Sequence, residues 1–452
     1  MSETLTPPSP AANAAIKKRT VVAWSLWDWG SAAFNAVVTT FVFTVYLTSG
    51  LFGDSDEVSG QLAFAVAIAG LLIALLAPVL GQRSDRAGKR KFWLGVNTFI
   101  VVAITAALWF VEASPSYLVL GLFLIAAGNI FFEIASVNYY AMLSQVSTRD
   151  NVGRVSGFGW GMGYIGGIVL LAIILVGFIF PVSDGGTGWF GVTSENGQNV
   201  RAAMLLAAVW FGLSALPVLF AVPEIPKTAS SEKPAGFFTS YVLLIRSIAE
   251  LWRERRAVVY FLIASAVFRD GLSGVFTFGG VLAAVSFGFS SSTVIVFAIA
   301  ANLVAGVATF IGGIIDDRVG PKPVMVFSLI AMVICAMVIF FLADQGAWVF
   351  WVFGLMLCLF VGPVQSASRS FLSRTIPPGK EGEVFGLYAT TGRAVSFLAP
   401  LFFGVFVAVS GQTLFGIFGI ALVLLIGLLL LLPVRNSWHV GTEAPETEAA
   451  SS

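Results

Sequence analysis

Six charged residues lie inside long apolar stretches of this sequence, where charge is rare. They are Asp28, Glu133, Arg269, Asp270, Arg369 and Arg393. A charge at the centre of a membrane-spanning helix costs at least about 2.5–3.5 kcal/mol, so each residue needs a partner or a function. A guanidinium group can bind a carboxylate in a bidentate manner, and a buried carboxylate can bind an ammonium group or carry a proton. The set therefore predicts a binding or proton pathway for a polar solute, or buried ion pairs that hold helices in register.

The depth of these charges favours a pathway over a purely structural role. Four of them lie roughly 10–20 Å from the cytoplasmic ends of their predicted helices, at a rise of 1.5 Å per residue: Asp28, Glu133, Asp270 and Arg393. Arg369 lies only about four residues from its predicted helix end, which suits snorkelling to the interface as well as contact with a substrate. Arg269 or Arg393 would bind a carboxylate of such a polar solute. Asp28 or Glu133 would bind an ammonium group.

Uncharged polar and aromatic residues accompany the charges. Asn35 follows Asp28 on the same predicted helix. Gln365 precedes Arg369 and lies beside Pro363, which can break a helix and free carbonyl groups for a ligand. We include Asn35 and Gln365 in the predicted pathway. Three tryptophans surround the first aspartate and form either an interfacial belt or the wall of a cavity: Trp24, Trp27 and Trp29.

The composition indicates a membrane protein. Of 452 residues, 58% are hydrophobic and only 11% are charged, too few charges to cover a soluble protein of this length. The formal net charge of +1 creates no field that would attract a nucleic acid, and no G-x-x-x-x-G-K-[ST] loop for ATP occurs. The single histidine, His439, lies in the polar tail, and both cysteines lie in apolar stretches. We therefore expect no metal, no cofactor and no enzymatic activity.

Apolar stretches long enough to span a bilayer, about 20 residues each, recur along the chain. The first six spans are predicted at about 21–47, 60–80, 92–112, 116–143, 157–181 and 200–222, and the second six at about 257–286, 290–312, 322–343, 346–372, 383–409 and 411–433. We predict an all-α membrane protein with twelve transmembrane helices in two six-helix bundles, 21–222 and 257–433. Residues 1–20 form a cytoplasmic segment, 223–256 a cytoplasmic central loop, and 434–452 a disordered cytoplasmic tail.

The basic residues outside the spans fall in alternate loops. One set of loops holds nearly all of them, and the opposite set holds Arg201 alone among acidic and neutral residues. By the positive-inside rule, both termini and the central loop face the cytoplasm of a bacterial plasma membrane. In the central loop, residues 237–254 have apolar residues at helical spacing and arginines toward one end. This pattern is typical of an amphipathic helix on the cytoplasmic leaflet, although a solvated linker helix has similar features.

A short motif occurs at the same place in both halves, after the second and after the eighth span. Each copy reads G-x-x-x-D-R-x-G: the first has Gly81, Asp85, Arg86 and Gly88, with Arg90 following, and the second has Gly313, Asp317, Arg318 and Gly320. A tight turn between antiparallel helices needs a glycine with positive φ, and the last glycine of each copy suits this role. Each aspartate is placed to face the positive end of a neighbouring helix. A basic loop that only sets topology would explain the basic residues, whereas the repeated aspartate favours a gating role.

The duplicated motif resembles the signature of the major facilitator superfamily, whose fold is two six-helix bundles around a central cavity. Other segments resemble the vacuolar amino-acid effluxer family of autophagy and its bacterial relatives: WSLWDWGSAAFN, RVSGFGWGMGYIGG, FRDG, GPVQSASRS and EVFGLYATTGRAVSFLAP. The resemblance implies that the motif loops lock the bundles together in one state, that spans one, four, seven and ten line the cavity, and that the substrate is an amino acid. Span five lacks the Gly-Pro pair common in antiporters, so that feature does not support antiport.

These features predict a secondary transporter that works by alternating access in the lipid bilayer and moves a small polar organic solute. An amino acid is the favoured substrate, and protons are the candidate coupling ion. An exporter of drugs or apolar metabolites has the same architecture, and the six charges would then be structural. A receptor or scaffold without transport also remains open if charged pairs fill the cavity.

Overall fold

The computed structural model describes residues 18–180, 188–224, 237–289, 291–376 and 379–434. Within these ranges, twelve helices are long and apolar enough to cross a membrane, and no strand occurs. The first six are α1 (Lys18–Leu47), α2 (Glu57–Ala87), α3 (Arg90–Phe110), α4 (Pro115–Val146), α5 (Val152–Ile179) and α6 (Glu195–Ala221). The second six are α7 (Arg256–Ser286), α8 (Val296–Val319), α9 (Pro321–Phe341), α10 (Ala347–Thr375), α11 (Glu381–Ser410) and α12 (Thr413–Leu431). Nearly all of the predicted terminal segments and part of the central loop lie outside the described residues.

Two hydrophobic cores divide the helices into two bundles, which confirms the predicted fold class. Residues of α1–α6 such as Phe34 and Phe211 form one core, and residues of α7–α12 such as Phe268 and Leu424 form the other. The second core also includes buried residues of α2 and α4: Ile73, Ala77, Val79, Val137 and Ala141. The two bundles therefore share part of one core. They meet mainly along two helix pairs, α2 with α11 and α5 with α8.

The repeated motif lies at one end of the molecule, where α2 and α8 end and α3 and α9 begin. We call this the basic end, and the positive-inside rule predicts that it is cytoplasmic. α2 continues to Ala87 and α8 to Val319, so most of each motif copy lies in the last turns of a helix rather than in the expected loop. Hydropathy marks only the apolar part of a helix, whereas the helix continues while its backbone hydrogen bonds are made. The turns themselves contain Gly88 and Gly320, with φ values of 60° and 88°, as predicted.

A lysine follows each of these turns and ties the next helix to the end of its own bundle. Lys91 Nζ donates to the carbonyl group of Val222 at 3.0 Å, just beyond α6. Lys322 Nζ donates to the carbonyl groups of Leu432 and Val434 at 2.7 and 2.5 Å, just beyond α12. An ammonium group at this position satisfies carbonyls that have no helical partner and lies at the negative end of the helix.

Replacement of Lys322 by methionine is expected to lower the thermal stability of the protein. The change keeps the length of the side chain and removes two hydrogen bonds from a charged donor, which we expect to reduce the free energy of unfolding by about 1–3 kcal/mol. The midpoint of thermal unfolding in detergent measures the effect. Lys18→Met, at an exposed lysine, is the control, and equal midpoints for the two variants would contradict a stabilising tie.

Helices α10 and α11 are both interrupted along their length. α11 consists of the segments Glu381–Val395 and Leu398–Ser410. In α10 the interruption is at Phe360, and the segment Val361–Thr375 then continues through Pro363. The interruption thus lies three residues before Pro363, which agrees with the expectation that this proline breaks the helix. Pro363 has no N–H group to donate to the carbonyl group of Leu359, four residues earlier, where the preceding segment ends.

A further helix, the central helix (Phe237–Glu254), lies between the bundles in the sequence and contacts both of them. The hydroxyl group of Tyr241 donates to the carbonyl group of Leu75 on α2 at 3.1 Å. Glu250 pairs with Lys380, just before α11, at 3.2 Å. The apolar residues of the central helix face two ways. Leu244 and Leu251 are buried against the protein, whereas Val242, Ile245 and Trp252 are exposed.

Candidate functional site

Asp28 of α1 and Arg369 of α10 form an ion pair between the two bundles. Arg369 Nη1 lies 3.4 Å from Asp28 Oδ2, and Arg369 Nη2 donates to the carbonyl group of Ser156 on α5 at 2.8 Å. Tyr139 of α4 donates its hydroxyl hydrogen to Asp28 Oδ2 at 3.2 Å. Arg369 is only 1% exposed, which excludes snorkelling, one of the two alternatives that its position near the helix end left open. Its helix continues to Thr375, and Arg369 faces the other bundle rather than the surface.

Four aromatic rings surround the guanidinium group of Arg369. Its Cζ lies between 4.9 and 5.9 Å from the ring centroids of the residues that we call the aromatic box: Trp24, Tyr139, Tyr140 and Trp160. Trp24 stacks on Tyr139 with centroids 4.4 Å apart. Trp24 and Trp27 are 0% and 1% exposed, which excludes an interfacial belt for both of them. Trp29 is partly buried and stacks on Trp210 of α6.

A second ion pair between the bundles lies farther from the basic end. Arg393 of α11 donates from Nη2 to Glu133 Oε2 of α4 at 3.1 Å, and the two side chains are 33% and 15% exposed. Arg269 of α7 lies over the ring of Tyr388, with its Cζ 3.8 Å from the centroid, and donates to the carbonyl group of Tyr388 at 2.9 Å. A Cβ at Gly392 would lie 3.0 Å from Arg269 Nη1. Arg269 therefore abuts the backbone next to Arg393.

Asp270 does not join the other predicted site residues. Its Oδ2 accepts a hydrogen bond from the backbone N–H group of Ala399 at 2.6 Å. Ala399 lies at the start of the second segment of α11, so the buried carboxylate caps the N-terminal end of that segment. Both residues belong to the second bundle, and this contact positions the interruption in α11 rather than linking the bundles.

The two uncharged pathway candidates have different surroundings. Asn35 is exposed, and its carbonyl group accepts hydrogen bonds from the hydroxyl groups of Thr39 and Thr40. Gln365 is partly buried on α10, one turn before Arg369. The structure therefore brings Asp28 together with Arg369, and Glu133 together with Arg393, while Asn35 lies outside these contacts.

The first copy of the motif closes the basic end between α2 and α11. Asp85 Oδ2 accepts a hydrogen bond from the backbone N–H group of Glu383, in the first turn of α11, at 3.0 Å. Arg90 pairs with Asp85 Oδ1 and with Glu381 Oε2, both at 2.5 Å. Gln82 donates to Glu383 Oε2 at 2.9 Å. This network joins an aspartate of the first bundle to the positive end of a helix in the second.

The second copy makes a matching contact between α8 and α5. Asp317 accepts hydrogen bonds from the backbone N–H groups of Gly153 and Arg154, in the first turn of α5, at 2.7 and 3.1 Å. The side chains of Arg154 and Arg374 pair with Asp317 at 2.7 and 3.2 Å. Arg374 also pairs with Asp316 at 2.7 Å. In both halves, the aspartate of the motif thus faces the N-terminal end of a helix in the other bundle.

Glycines allow these helix pairs to approach closely. A Cβ at Gly81 would collide with the carbonyl group of Gly382, and a Cβ at Gly313 would lie 2.6 Å from the carbonyl oxygen of Gly153. Backbone packs on backbone at both contacts, so the basic end is closed. The two arginines of the motif are exposed and lie outside both networks: Arg86 and Arg318.

A family model described as "Vacuole effluxer Atg22 like" matches residues 143–438. The chain belongs to the Atg22-like family. A model of the Major Facilitator Superfamily also matches, over residues 3–171, and the chain is a transporter of that superfamily. This agrees with the two-bundle fold and with the resemblance carried by the repeated motif.

Relatives of this Atg22-like chain occur in bacteria and fungi. It is similar to the "Uncharacterized MFS-type transporter YxiO" of Bacillus subtilis, 26% identical over 432 residues, which cover 93% of this chain and 96% of the relative. It is also similar to "Autophagy-related protein 22-2" of Neosartorya fischeri, 25% identical over 314 residues, which cover 64% of this chain and 49% of the relative. The chain thus matches about half the length of this fungal relative.

Solved structures share the fold of this Atg22-like transporter at low sequence identity. The proton:xylose symporter XylE has a TM-score of 0.71 at 14% identity, with 93% of this chain and 96% of that chain covered. The fucose:proton symporter FucP of E. coli has a TM-score of 0.66 at 15% identity, with 91% and 97% covered. These similarities concern the fold alone.

Several contacts of this Atg22-like transporter come from residues that composition and spacing did not single out. Glu381 and Glu383 complete the first network, but two acids in the first turn of a helix are common and gave no separate signal. Tyr139 and Ser156 reach the Asp28–Arg369 pair from helices whose apolar and glycine-rich sequences indicate packing. Asp316 did give a visible signal, because it places a second acid directly before the motif aspartate Asp317, whereas the first copy has Ser84 at that position.

Proposed function

We propose that this chain carries amino acids across the membrane by alternating access, with the two bundles rocking about the charged residues between them. Membership of a transporter superfamily supplies the general activity, and the geometry of the charges supports the substrate and the mechanism. In this proposal the basic end faces the cytoplasm, because the positive-inside rule places it there.

Of the two ion pairs that join the bundles inside the membrane-spanning region, the Glu133–Arg393 pair is farther from the basic end and more exposed than the Asp28–Arg369 pair, and this observation carries the proposal. The side chains of Arg90 and Arg369 are each 1% exposed, whereas that of Arg393 is 33% exposed. At 1.5 Å per residue, Arg393 lies roughly 18 Å along α11 from the basic end. A closed basic end with more accessible charges farther out is what one state of an alternating-access carrier requires.

The charges on the accessible side fit the two ionic groups of an amino acid. Glu133 can bind the ammonium group, and Arg269 or Arg393 can bind the carboxylate in a bidentate manner. Arg269 makes no ion pair within the part of the chain that the structure describes, so its guanidinium group is available to a ligand carboxylate. The buried carboxylate of Asp28 is a candidate for proton transfer, and we propose protons as the coupling ion.

Asp28→Asn is expected to lower saturable uptake of labelled amino acids into proteoliposomes by at least about tenfold. Asparagine keeps the size of the side chain, but it neither pairs with Arg369 as a charge nor takes up a proton. Uptake is measured with and without an inward-acid pH gradient. A faster wild-type rate under the gradient supports proton coupling.

Asp344→Asn is the matched control, because Asp344 is an exposed acid at the end opposite the basic end. It should retain wild-type uptake. Full uptake by the Asp28→Asn protein would contradict the role of Asp28. If the folded, membrane-inserted wild-type protein takes up no amino acid under either condition, the amino-acid proposal fails and an exporter of apolar compounds becomes the better explanation.

A further inference from the structure

The aromatic box and its carboxylate belong to one bundle, whereas the cation inside the box belongs to the other. Trp24 and Asp28 lie on α1, Tyr139 and Tyr140 on α4, and Trp160 on α5, all in the first bundle. Arg369, which lies within 6 Å of all four ring centroids, comes from α10 of the second bundle. Any separation of the bundles at the basic end therefore withdraws the cation and leaves four ring faces and a carboxylate without it.

We infer that the aromatic box with Asp28 is an organic-ammonium site, which Arg369 fills while the basic end is closed and which the ammonium group of the substrate fills when it opens. Ring faces attract cations through the quadrupole of the π-system, most strongly where water is excluded. Asp28 adds an opposite charge, and Tyr139 orients it through a hydrogen bond of 3.2 Å. Arg369 then acts as a tethered competitor of the substrate. This inference rests on the proposed alternating access and names the site that binds the ammonium group on the basic-end side.

The site favours an organic cation over a metal ion. Ca²⁺ and Mg²⁺ need about six or more oxygen ligands, whereas the walls of the box are carbon rings and Asp28 is the carboxylate that contacts the bound cation. The indole N–H group of Trp160 is buried and has no acceptor among the described residues. It is therefore free to donate to a carboxylate oxygen that an amino acid brings beside its ammonium group.

Arg369→Ala empties the box permanently and so exposes the site to a simple probe. We expect the purified variant to bind tetramethylammonium chloride saturably, seen as a change in tryptophan fluorescence and a rise in the thermal midpoint, with NaCl at equal ionic strength as the reference. The wild-type protein, whose box holds Arg369, should show at least about tenfold weaker binding, and so should Asp28→Asn in the Arg369→Ala background.

Arg201→Ala is the matched control variant. It also removes a guanidinium group from an aromatic ring beside a carboxylate, but the ring is the single ring of Trp109 and the carboxylate of Glu112 is 45% exposed. No saturable tetramethylammonium binding is expected there. Binding of equal strength in this variant would show that any ring beside an acid suffices and would overturn the assignment.

The absence of a thermal transition would show that the Arg369→Ala protein does not fold. In that case Gly313→Ala tests tetramethylammonium binding with all box residues present, because the added Cβ disfavours the closed basic end. Absence of saturable binding in a folded protein of either kind overturns the inference. The outcome is separate from that of amino-acid uptake. Binding of tetramethylammonium without amino-acid uptake would support the ammonium site and contradict amino-acid transport. Amino-acid uptake without tetramethylammonium binding would support transport and contradict the ammonium site.

Discussion

Arg90→Ala is expected to shift the protein toward a conformation that is open at the basic end, by about 100-fold or more. Arg90 is 1% exposed and pairs at 2.5 Å with both Asp85 and Glu381. Removing one member of a buried ion pair leaves uncompensated charge and costs about 3–5 kcal/mol. Here two carboxylates would face each other across the bundle interface. Separation of the bundles lets water reach both of them, so most of the cost falls on the closed conformation.

The distance between labels on the two bundles measures this shift. Cysteines introduced at Asp150 and Arg318, which are exposed near the basic ends of α5 and α8, can carry spin labels, and the two native cysteines are buried. Arg83→Ala is the control, because Arg83 is an exposed arginine in the last turns of α2. An unchanged distance distribution in the Arg90→Ala protein would contradict a locking role for Arg90.

Gly313→Ala is expected to favour the same open conformation by a steric route, by about 10- to 100-fold. A Cβ at Gly313 would lie 2.6 Å from the carbonyl oxygen of Gly153 and 3.1 Å from the Cα of Gly157, both on α5. These are backbone atoms, which cannot rotate away, so α5 and α8 must move apart. Inside α8, alanine is the better helix former. The penalty therefore falls on the interface between the bundles and not on the fold of the second bundle.

Gly404→Ala is the matched control for this steric effect. It makes the same change inside α11 at a position where no atom lies within 4 Å of the added Cβ. The spin-label pair used for Arg90→Ala should report a longer distance for Gly313→Ala and the wild-type distance for Gly404→Ala. Equal distributions for the two glycine variants would show that the close contact of α5 and α8 does not control closure.

Much of the candidate site was accessible to sequence reasoning because charge inside a bilayer is costly in any fold. Asp28, Glu133 and Arg393 could be singled out by this rule alone, and each has its partner across the bundle interface. The repeated motif predicted a glycine turn and an aspartate beside a helix N-terminus. Both features appear in the structure, at Gly88 and Asp85, although only the turn follows from local chemistry, because the helix that Asp85 faces is α11 of the other bundle.

Predictions from the sequence were less accurate where the position of a residue along its helix was used to judge what surrounds its side chain. Arg369 lies near a helix end, yet it is buried, since distance from the end does not tell which side of the helix faces a neighbour. Asp270 is a membrane-embedded acid like Asp28, yet it caps an interruption in α11 that hydropathy does not reveal. Trp24 of the aromatic box is a further example, because an aromatic residue near a helix end suits the membrane–water interface as well as the protein interior.

By itself, the sequence determined the class of protein, the twelve spans, the predicted orientation and the internal repeat, since these depend on apolar length, charge placement and local turn chemistry. Only the tertiary structure decided which charges pair. Asp28 and Arg369 are 341 residues apart in the sequence and meet because α1 and α10 face each other between the bundles. The same packing decided that the basic end is closed, because closure depends on backbone contacts between helices that no local pattern encodes.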